Sequence, residues 1–399
     1  MNKAQEYIVQ ILNHSIHNKK IALNTNENIL WKDILEECKI HNIESLVYYG
    51  IHSNTLKTID KETLEVWKKQ TFMCNIYQIN HIKQISNILS IFNDKNIPVI
   101  VLKGLVIRDL YPRPELRTMG DADLLVHKYD LDIVDQILKS NGYNEICRHG
   151  FHIAYCKGNS HVEVHWTISD EEKWIGLETF TDEVWKNAIE VNIGDSKSLS
   201  MNYEDLLFHL IIHKANHLKS SGFGIRQICD VALLVDKKRE DINWNEFICK
   251  VKRSKVDKFA MIILEICNKL FEIEFPKELE YMRVKDDTYV DILIDVIFSN
   301  GVHGKTNKIS SIAKYFSDSS KKDNFITGFT NMYFPAQDKL TNRYSYAKKN
   351  KLFLPIAWIH RLLNAIFRRD FSLSEKVKIS TQGSDISKEY GDLLNWLEL

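Results

Sequence analysis

From Ala4 to about Asn93 the apolar positions recur at helical spacing: Ile8, Ile11, Leu12 and Ile16, then Trp31, Ile34, Leu35 and Cys38, then Ile43, Leu46, Val47, Tyr49 and Ile51. Residues three and four apart share one face of a helix, so each run predicts an amphipathic helix. A longer run over 61–92 sets Leu64, Trp67, Phe72, Ile76, Ile79, Ile82, Ile85, Ile88 and Leu89 on one broad stripe, expected to be core.

The period changes at Asn96-Ile97-Pro98. Val99 to Leu102 reads as a strand, Gly104 opens a short helical run to Tyr111, Pro112-Arg113-Pro114 makes a turn, and Asp121 to Val126 reads as a second strand. A helix over 130–141, ended by Gly142, precedes three β-like stretches at 143–148, 151–156 and 161–166. Helical spacing returns at Asn202, with Leu206, Leu207, Leu210 and Ile211 on one side, and continues through 223–235, 244–251, 259–271 and 291–298. Beyond these, 299–308 reads as a loop, 317–324 as a charged connector and 378–387 as loosely ordered. Residues 352–369 read as an amphipathic helix that packs onto the preceding bundle. The pattern predicts an α+β fold in which a small mixed β-sheet is flanked by helical regions, divided as 1–94, 95–200, 201–282 and 283–399.

At 399 residues the chain is long enough for two or three domains with their own cores. Its 53 basic and 53 acidic residues cancel, and the pI is 7.2, so nucleic acid is not favoured as the main partner. Seven cysteines, scattered and without a Cys-x-x-Cys pair, suit a reducing compartment and exclude a disulfide framework. No signal-peptide core opens the chain and no run of membrane-spanning length interrupts it, so a cytoplasmic location is expected.

The candidate chemistry begins at Asp121-Ala122-Asp123. Side chains alternate along a strand, so the two carboxylates share a face, where their repulsion calls for a cation; an oxygen-only pair suits Mg²⁺ or Mn²⁺. The same alternation in the 161–166 strand puts His161, Glu163 and His165 on one face and Val162, Val164 and Trp166 on the other. A third carboxylate thus arrives from a third strand. Gly104, just past a strand and at a helix start, is where backbone amides approach a phosphate, and Lys103 beside it offers a point charge. His209, His213 and His217 step four residues apart along a helix and read as lining a polar face. Arg226 and Asp230, at i,i+4 spacing, read as a surface ion pair.

Taken as a set, these pieces resemble the nucleotidyltransferase superfamily typified by DNA polymerase β and the aminoglycoside nucleotidyltransferases. More closely, they resemble a bacterial branch marked by Leu102-Lys103-Gly104, Arg117 ahead of Asp121-Ala122-Asp123-Leu124-Leu125-Val126, Gly142-Tyr143, and Glu163-Val164-His165-Trp166, with His209-Leu210, His213, Arg226 and Asp230 further on. One departure is that Leu105, not glycine or serine, follows Gly104.

The resemblance implies that 95–200 is a nucleotidyltransferase core and 201–282 a helical bundle closing the nucleotide cleft. It implies metal-dependent transfer of a nucleoside monophosphate from an NTP to a hydroxyl-bearing small molecule or sugar, with release of pyrophosphate. Asp121, Asp123 and Glu163 are then the catalytic and metal-holding residues of a two-metal centre, with Mg²⁺ or Mn²⁺ as cofactor. Lys103, Gly104, Arg117, His165, His213, Arg226 and Asp230 are the expected nucleotide-binding residues. Two other readings keep the fold: a toxin-like or regulatory transferase acting on tRNA or protein, and a non-catalytic nucleotide-binding scaffold.

Overall fold

The computed structural model describes residues 1–23, 29–168, 174–284, 288–301, 334–337, 340, 344–367 and 390–399. The chain forms two units, one comprising Met1–Ala215 and Gly224–Phe298, the other Asn216–Phe223 and Ser299–Leu399. The expected connector over 317–324 and the stretch 378–387, like most of the expected loop over 299–308, lie outside the described residues.

The first unit begins with helices α1 (Lys3–Ile16), α2 (Trp31–His41), α3 (Glu44–Gly50) and α4 (Ser53–Leu56), followed by the long α5 (Lys61–Asp94). The starts of α1 and α5 have a physical cause that the sequence supplies. Asn2 and Gln5 form a capping box on α1, and the Asp60 carboxylate accepts the Thr63 amide at the start of α5. Asn96, at φ 54°, and Pro98 then end the helical path and turn the chain into the sheet.

Seven strands make one mixed sheet: β1 (Ile100–Val101), β2 (Ala122–Leu125), β3 (Asn144–Arg148), β4 (His152–Lys157), β5 (Ser160–His165), β6 (Ile189–Ile193) and β7 (Ser196–Ser200), in the order β3-β4-β5-β2-β1-β7-β6. Helices α6 (Gly104–Ile107), α7 (Leu131–Ser140) and α8 (Phe180–Lys186) are interleaved with them. After the sheet come α9 (Tyr203–Lys219), α10 (Ile225–Lys238), α11 (Trp244–Arg253), α12 (Asp257–Phe271) and α13 (Thr288–Asn300). The α+β class and the mixed sheet expected from the pattern are what the structure has.

Strand alternation divides the sheet into an apolar and a polar face. Ala122 and Leu124 of β2 and Val162 and Val164 of β5 pack against Ile82, Ile85, Leu89 and Phe92 of α5 and Val134 and Leu138 of α7. Ile85 and Phe92 are wholly buried, and burial of such a side chain stabilises by about 1.5–3 kcal/mol. Asp123, Glu163 and His165, at the intervening positions, necessarily project from the opposite face.

The long stripe on α5 needs correction. Trp67, Ile82, Ile85, Ile88 and Leu89 are core, but Phe72, Ile76 and Ile79 are 63%, 39% and 54% exposed. These three are themselves spaced i, i+4, i+7 and form a separate stripe turned away from the sheet. A helix with apolar residues on two faces gives one merged periodic signal, which is why the sequence pattern joined them.

In the second unit, α14 (Ser345–Lys349) and α15 (Leu354–Phe367) bring Ala347 and Ala357 together with Leu340 and Tyr344, and Trp358 donates its indole hydrogen bond to the Pro335 carbonyl. A final helix spans 390–396, and its Tyr390 hydroxyl donates to the Leu218 carbonyl. Among the described residues no helix is long and apolar enough to cross a membrane.

Candidate active site

The polar face of the sheet gathers the carboxylates by register. β2 and β5 run parallel with Asp123 opposite Glu163 and Leu125 opposite His165, while β4 lies antiparallel with His152 opposite His165. Neighbouring strands are about 4.8 Å apart, so Asp123 and Glu163 are held side by side. Asp121 sits one residue before β2 and is open to solvent, whereas Asp123 is buried. Behind them, the Gln78 side chain of α5 grips both backbone groups of Met119, donating to its carbonyl at 3.0 Å and accepting its amide at 3.1 Å. That clamp fixes the approach to Gly120 and Asp121.

His165 Nε2 lies 3.1 Å from Asp123 Oδ1 and 3.5 Å from Glu163 Oε2, and His152 Nε2 lies 3.9 Å from Glu163. Lys103 Nζ stands 3.4 Å from Asp123 Oδ2. Burial alone would raise the Asp123 carboxyl, but the Lys103 ammonium and the His165 hydrogen bond outweigh it and hold the group well below the usual range. Asp121 moves the other way although its side chain reaches solvent: partial desolvation by the surrounding protein and the neighbouring Asp123 charge push it up. Glu163 is drawn down, chiefly by the His165 hydrogen bond. Three carboxylates therefore crowd one spot with Lys103 as the fixed cation among them, an arrangement that retains a deficit of positive charge.

A divalent metal fits this set. Asp123, Glu163 and His165 each offer a ligand atom, and these atoms lie within 4.8 Å of one another. Hard carboxylate oxygens with an imidazole nitrogen suit Mg²⁺ or a first-row ion.

Lys103 reaches the carboxylates through an unusual backbone. Its φ of 47° and ψ of −112° fall outside the left-handed helical well that Asn42 and Glu272 adopt, in a region natural to glycine. Such strain costs about 1–3 kcal/mol, persists only where the surroundings enforce it, and concentrates at functional sites. Leu102 helps to impose it, since its amide donates to the Asp123 carbonyl at 3.0 Å.

Gly104 has a steric reason of its own. A Cβ there would stand 2.3 Å from Arg117 Nη1 and 2.9 Å from Met119 Sδ, so the space above the turn belongs to the Arg117 guanidinium. Arg117 is in turn bound to Asp230 of α10 by two hydrogen bonds, Nε to Oδ1 at 3.0 Å and Nη2 to Oδ2 at 2.8 Å, and the Tyr111 hydroxyl donates to Oδ1 at 2.8 Å. Both members of the pair are buried.

The expected surface pair of Arg226 with Asp230 is thus replaced. Arg226 donates Nη1 to the Thr118 carbonyl, its Nε has no hydrogen-bond partner among the described residues, and Asp230 takes an arginine from 113 residues away. The buried Lys214 of α9 is a further positive neighbour of Asp230, and burial pushes its ammonium down to about 8. Arg117, Arg226 and Lys214 around one carboxylate leave a surplus of positive charge beside the acidic cluster.

His213 is half-buried, its ring centroid 6.1 Å from that of His209. His209 is the most deeply perturbed of that ladder: it is 3% exposed, neither ring nitrogen has a hydrogen-bond partner among the described residues, and burial with the nearby Lys103 charge drives it down to about 3. Gln78, His152 and Lys214 were not singled out from sequence, and His209 was read there only as part of a histidine ladder lining a polar face. The signal for Gln78 was a polar residue set within the buried face of α5, and for His209 and Lys214 polar residues among Leu206, Leu207, Leu210 and Ile211.

A comparison with curated proteins returned no match. Among solved structures, the antibiotic-resistance factor ANT(2'')-Ia is similar at 12% identity over 46% of this chain and 96% of that chain, with a TM-score of 0.36. The lincosamide antibiotic adenylyltransferase LnuA, solved with lincomycin, is similar at 16% identity over 38% and 94%, with a TM-score of 0.29. An antigenic nucleotidyltransferase-like protein from Paracoccidioides brasiliensis is similar at 15% identity over 51% and 97%, with a TM-score of 0.32. The family described as uncharacterised nucleotidyltransferase matches over residues 27–272, more than half of the sequence and a span that runs from α2 through the carboxylate strands to the end of α12. By that match the chain belongs to the uncharacterised nucleotidyltransferase family.

Proposed function

We propose that the chain transfers a nucleoside monophosphate from an NTP to a hydroxyl-bearing small molecule or sugar. A bond forms between the acceptor oxygen and the α-phosphorus, the bond to pyrophosphate breaks, and the acceptor hydroxyl gives up its proton. The observation that carries this reading is the convergence of Asp121, Asp123 and Glu163 on the polar face of one sheet, with Asp123 and Glu163 paired in register.

Two divalent ions, Mg²⁺ or Mn²⁺, would be held by these carboxylates and would supply charge neutralisation on the attacking and leaving oxygens. Glu163, drawn below the usual carboxylate range, is ionised, and its carboxylate would complete the metal set or take the proton from the acceptor hydroxyl. Lys103 meets the triphosphate, its ammonium already aimed at the cluster. The Arg117–Asp230 pair holds the turn that carries Lys103, and Arg226, His165 and His213 line the nucleotide side. A balanced net charge supports a small acceptor over a polyanion.

Isothermal titration of ATP, GTP, CTP and UTP with Mg²⁺ tests the reading. At least one nucleotide binds in a metal-dependent way, and that binding is lost in Asp121→Asn/Asp123→Asn. Nucleotide affinity unchanged by metal or by the substitutions removes it.

A further inference from the structure

We infer that His165 is a direct metal ligand, so that one ion of the centre sits in a mixed nitrogen–oxygen site and Mn²⁺ is preferred to Mg²⁺. The inference rests on the metal-dependent reading above and sharpens it.

Three observations carry it. The first is spacing. Two donors bound cis at about 2.1 Å to one octahedral ion stand about 3 Å apart. His165 Nε2 is 3.1 Å from Asp123 Oδ1 and 3.5 Å from Glu163 Oε2, so one position can satisfy all three atoms. The second is valence. Nε2 carries at most one hydrogen and faces two carboxylate oxygens, so hydrogen bonding alone leaves one contact poorly made, whereas an ion between them satisfies both.

The third is rigidity. His165 is 3% exposed, its ring lies near-parallel to Phe151 at a centroid distance of 6.2 Å, and the His152 ring closes on it at 5.1 Å. Its Nε2 is therefore held toward the carboxylates by packing, and among the described residues its Nδ1 has no competing partner that would turn the ring. An oxygen-only set matches Mg²⁺; an added imidazole shifts the balance toward first-row ions, of which Mn²⁺ also accepts carboxylates readily.

Pulsed electron paramagnetic resonance on the full chain with Mn²⁺ and inorganic pyrophosphate, which holds no nitrogen, tests this directly. The expected result is a ¹⁴N coupling to bound Mn²⁺, replaced by the ¹⁵N pattern on histidine labelling, retained in His152→Gln and lost in His165→Gln. The His165→Gln variant also loses about 10–100-fold in Mn²⁺ affinity, with a smaller change for Mg²⁺. Bound Mn²⁺ without nitrogen coupling in the unaltered protein overturns the ligand assignment and leaves the metal reading standing. Coupling that survives in folded His165→Gln, or vanishes in His152→Gln, also overturns the assignment. Should His165→Gln not fold, the ¹⁵N-histidine spectrum and the His152→Gln variant decide. Failure of Mn²⁺ to bind under any of these conditions overturns both readings.

Discussion

Replacing Asp230 by asparagine keeps the shape of the side chain and removes its charge. In the structure that carboxylate accepts three hydrogen bonds, two from Arg117 and one from Tyr111, all at 3.0 Å or less and all buried. Asparagine presents an amide donor where one of these oxygens accepts, and it leaves the Arg117 guanidinium in a low-dielectric interior with Arg226 and Lys214 as further positive charges around position 230. Breaking a buried pair by removing one partner costs about 3–5 kcal/mol, a large part of the stability of an ordinary domain. Urea unfolding followed by circular dichroism measures the loss as a lower midpoint at constant slope. In a cycle with Arg117→Gln, the double variant is more stable than the sum of the two losses predicts, by at least about 1 kcal/mol. A loss for Asp230→Asn below about 1 kcal/mol, the scale of an exposed ion pair, would refute the reasoning.

Other consequences follow from the same neighbourhood. Gly104→Ala forces the Arg117 guanidinium off its seat and costs about 1–3 kcal/mol, with an effect less than additive with Asp230→Asn because both release the same side chain; full additivity in unfolding experiments would contradict it. Lys103→Gly and Lys103→Ala both delete the ammonium, but only alanine keeps the strained backbone. The glycine variant is therefore the more stable by thermal unfolding, the strain of about 1–3 kcal/mol exceeding the glycine entropy cost of about 0.5–1 kcal/mol; an alanine variant at least as stable sinks the strain argument. Glu183, in contact with Lys250 at 2.8 Å and with Arg253 and Thr179, is held down at about 2 from 4.5 even though desolvation opposes the shift. A depressed carboxyl contributes its stability fully above pH 4.5 and loses it as the pH falls toward 2, so Glu183→Gln flattens the decline of the melting temperature over that window, and an unaltered pH profile would speak against it.

How much of this was visible in the sequence depends on the range of the interaction. Alternation is local, so two letters of spacing placed Asp123 with Asp121 and Glu163 with His165, and the valines between them announced the apolar face. The strand after Pro98, the helix opened by Gly104 and the hairpin strands were legible for the same reason. The partner of Asp230 was not. Arg226 stands at the right helical interval, yet the fold supplies Arg117 from 113 residues away, and no local rule reaches that far.

Gly104 shows a subtler gap. Its presence was plain, but the atom that excludes a Cβ is the Arg117 guanidinium, a reason that exists only once the chain has folded. In α5 the periodic signal was real but double, and only packing separates Ile82 and Ile85 from the exposed Phe72, Ile76 and Ile79.

The proposed chemistry is metal-dependent nucleotidyl transfer at Asp121, Asp123 and Glu163. Pyrophosphate release from each NTP is measured with Mg²⁺ or Mn²⁺ across a panel of sugars and other hydroxyl-bearing small molecules, with the unaltered chain beside Asp123→Asn and Glu163→Gln. Release then needs both metal and acceptor, stops on chelation, and falls by at least about 100-fold in either variant. Release that persists undiminished after chelation or in the two variants would contradict it.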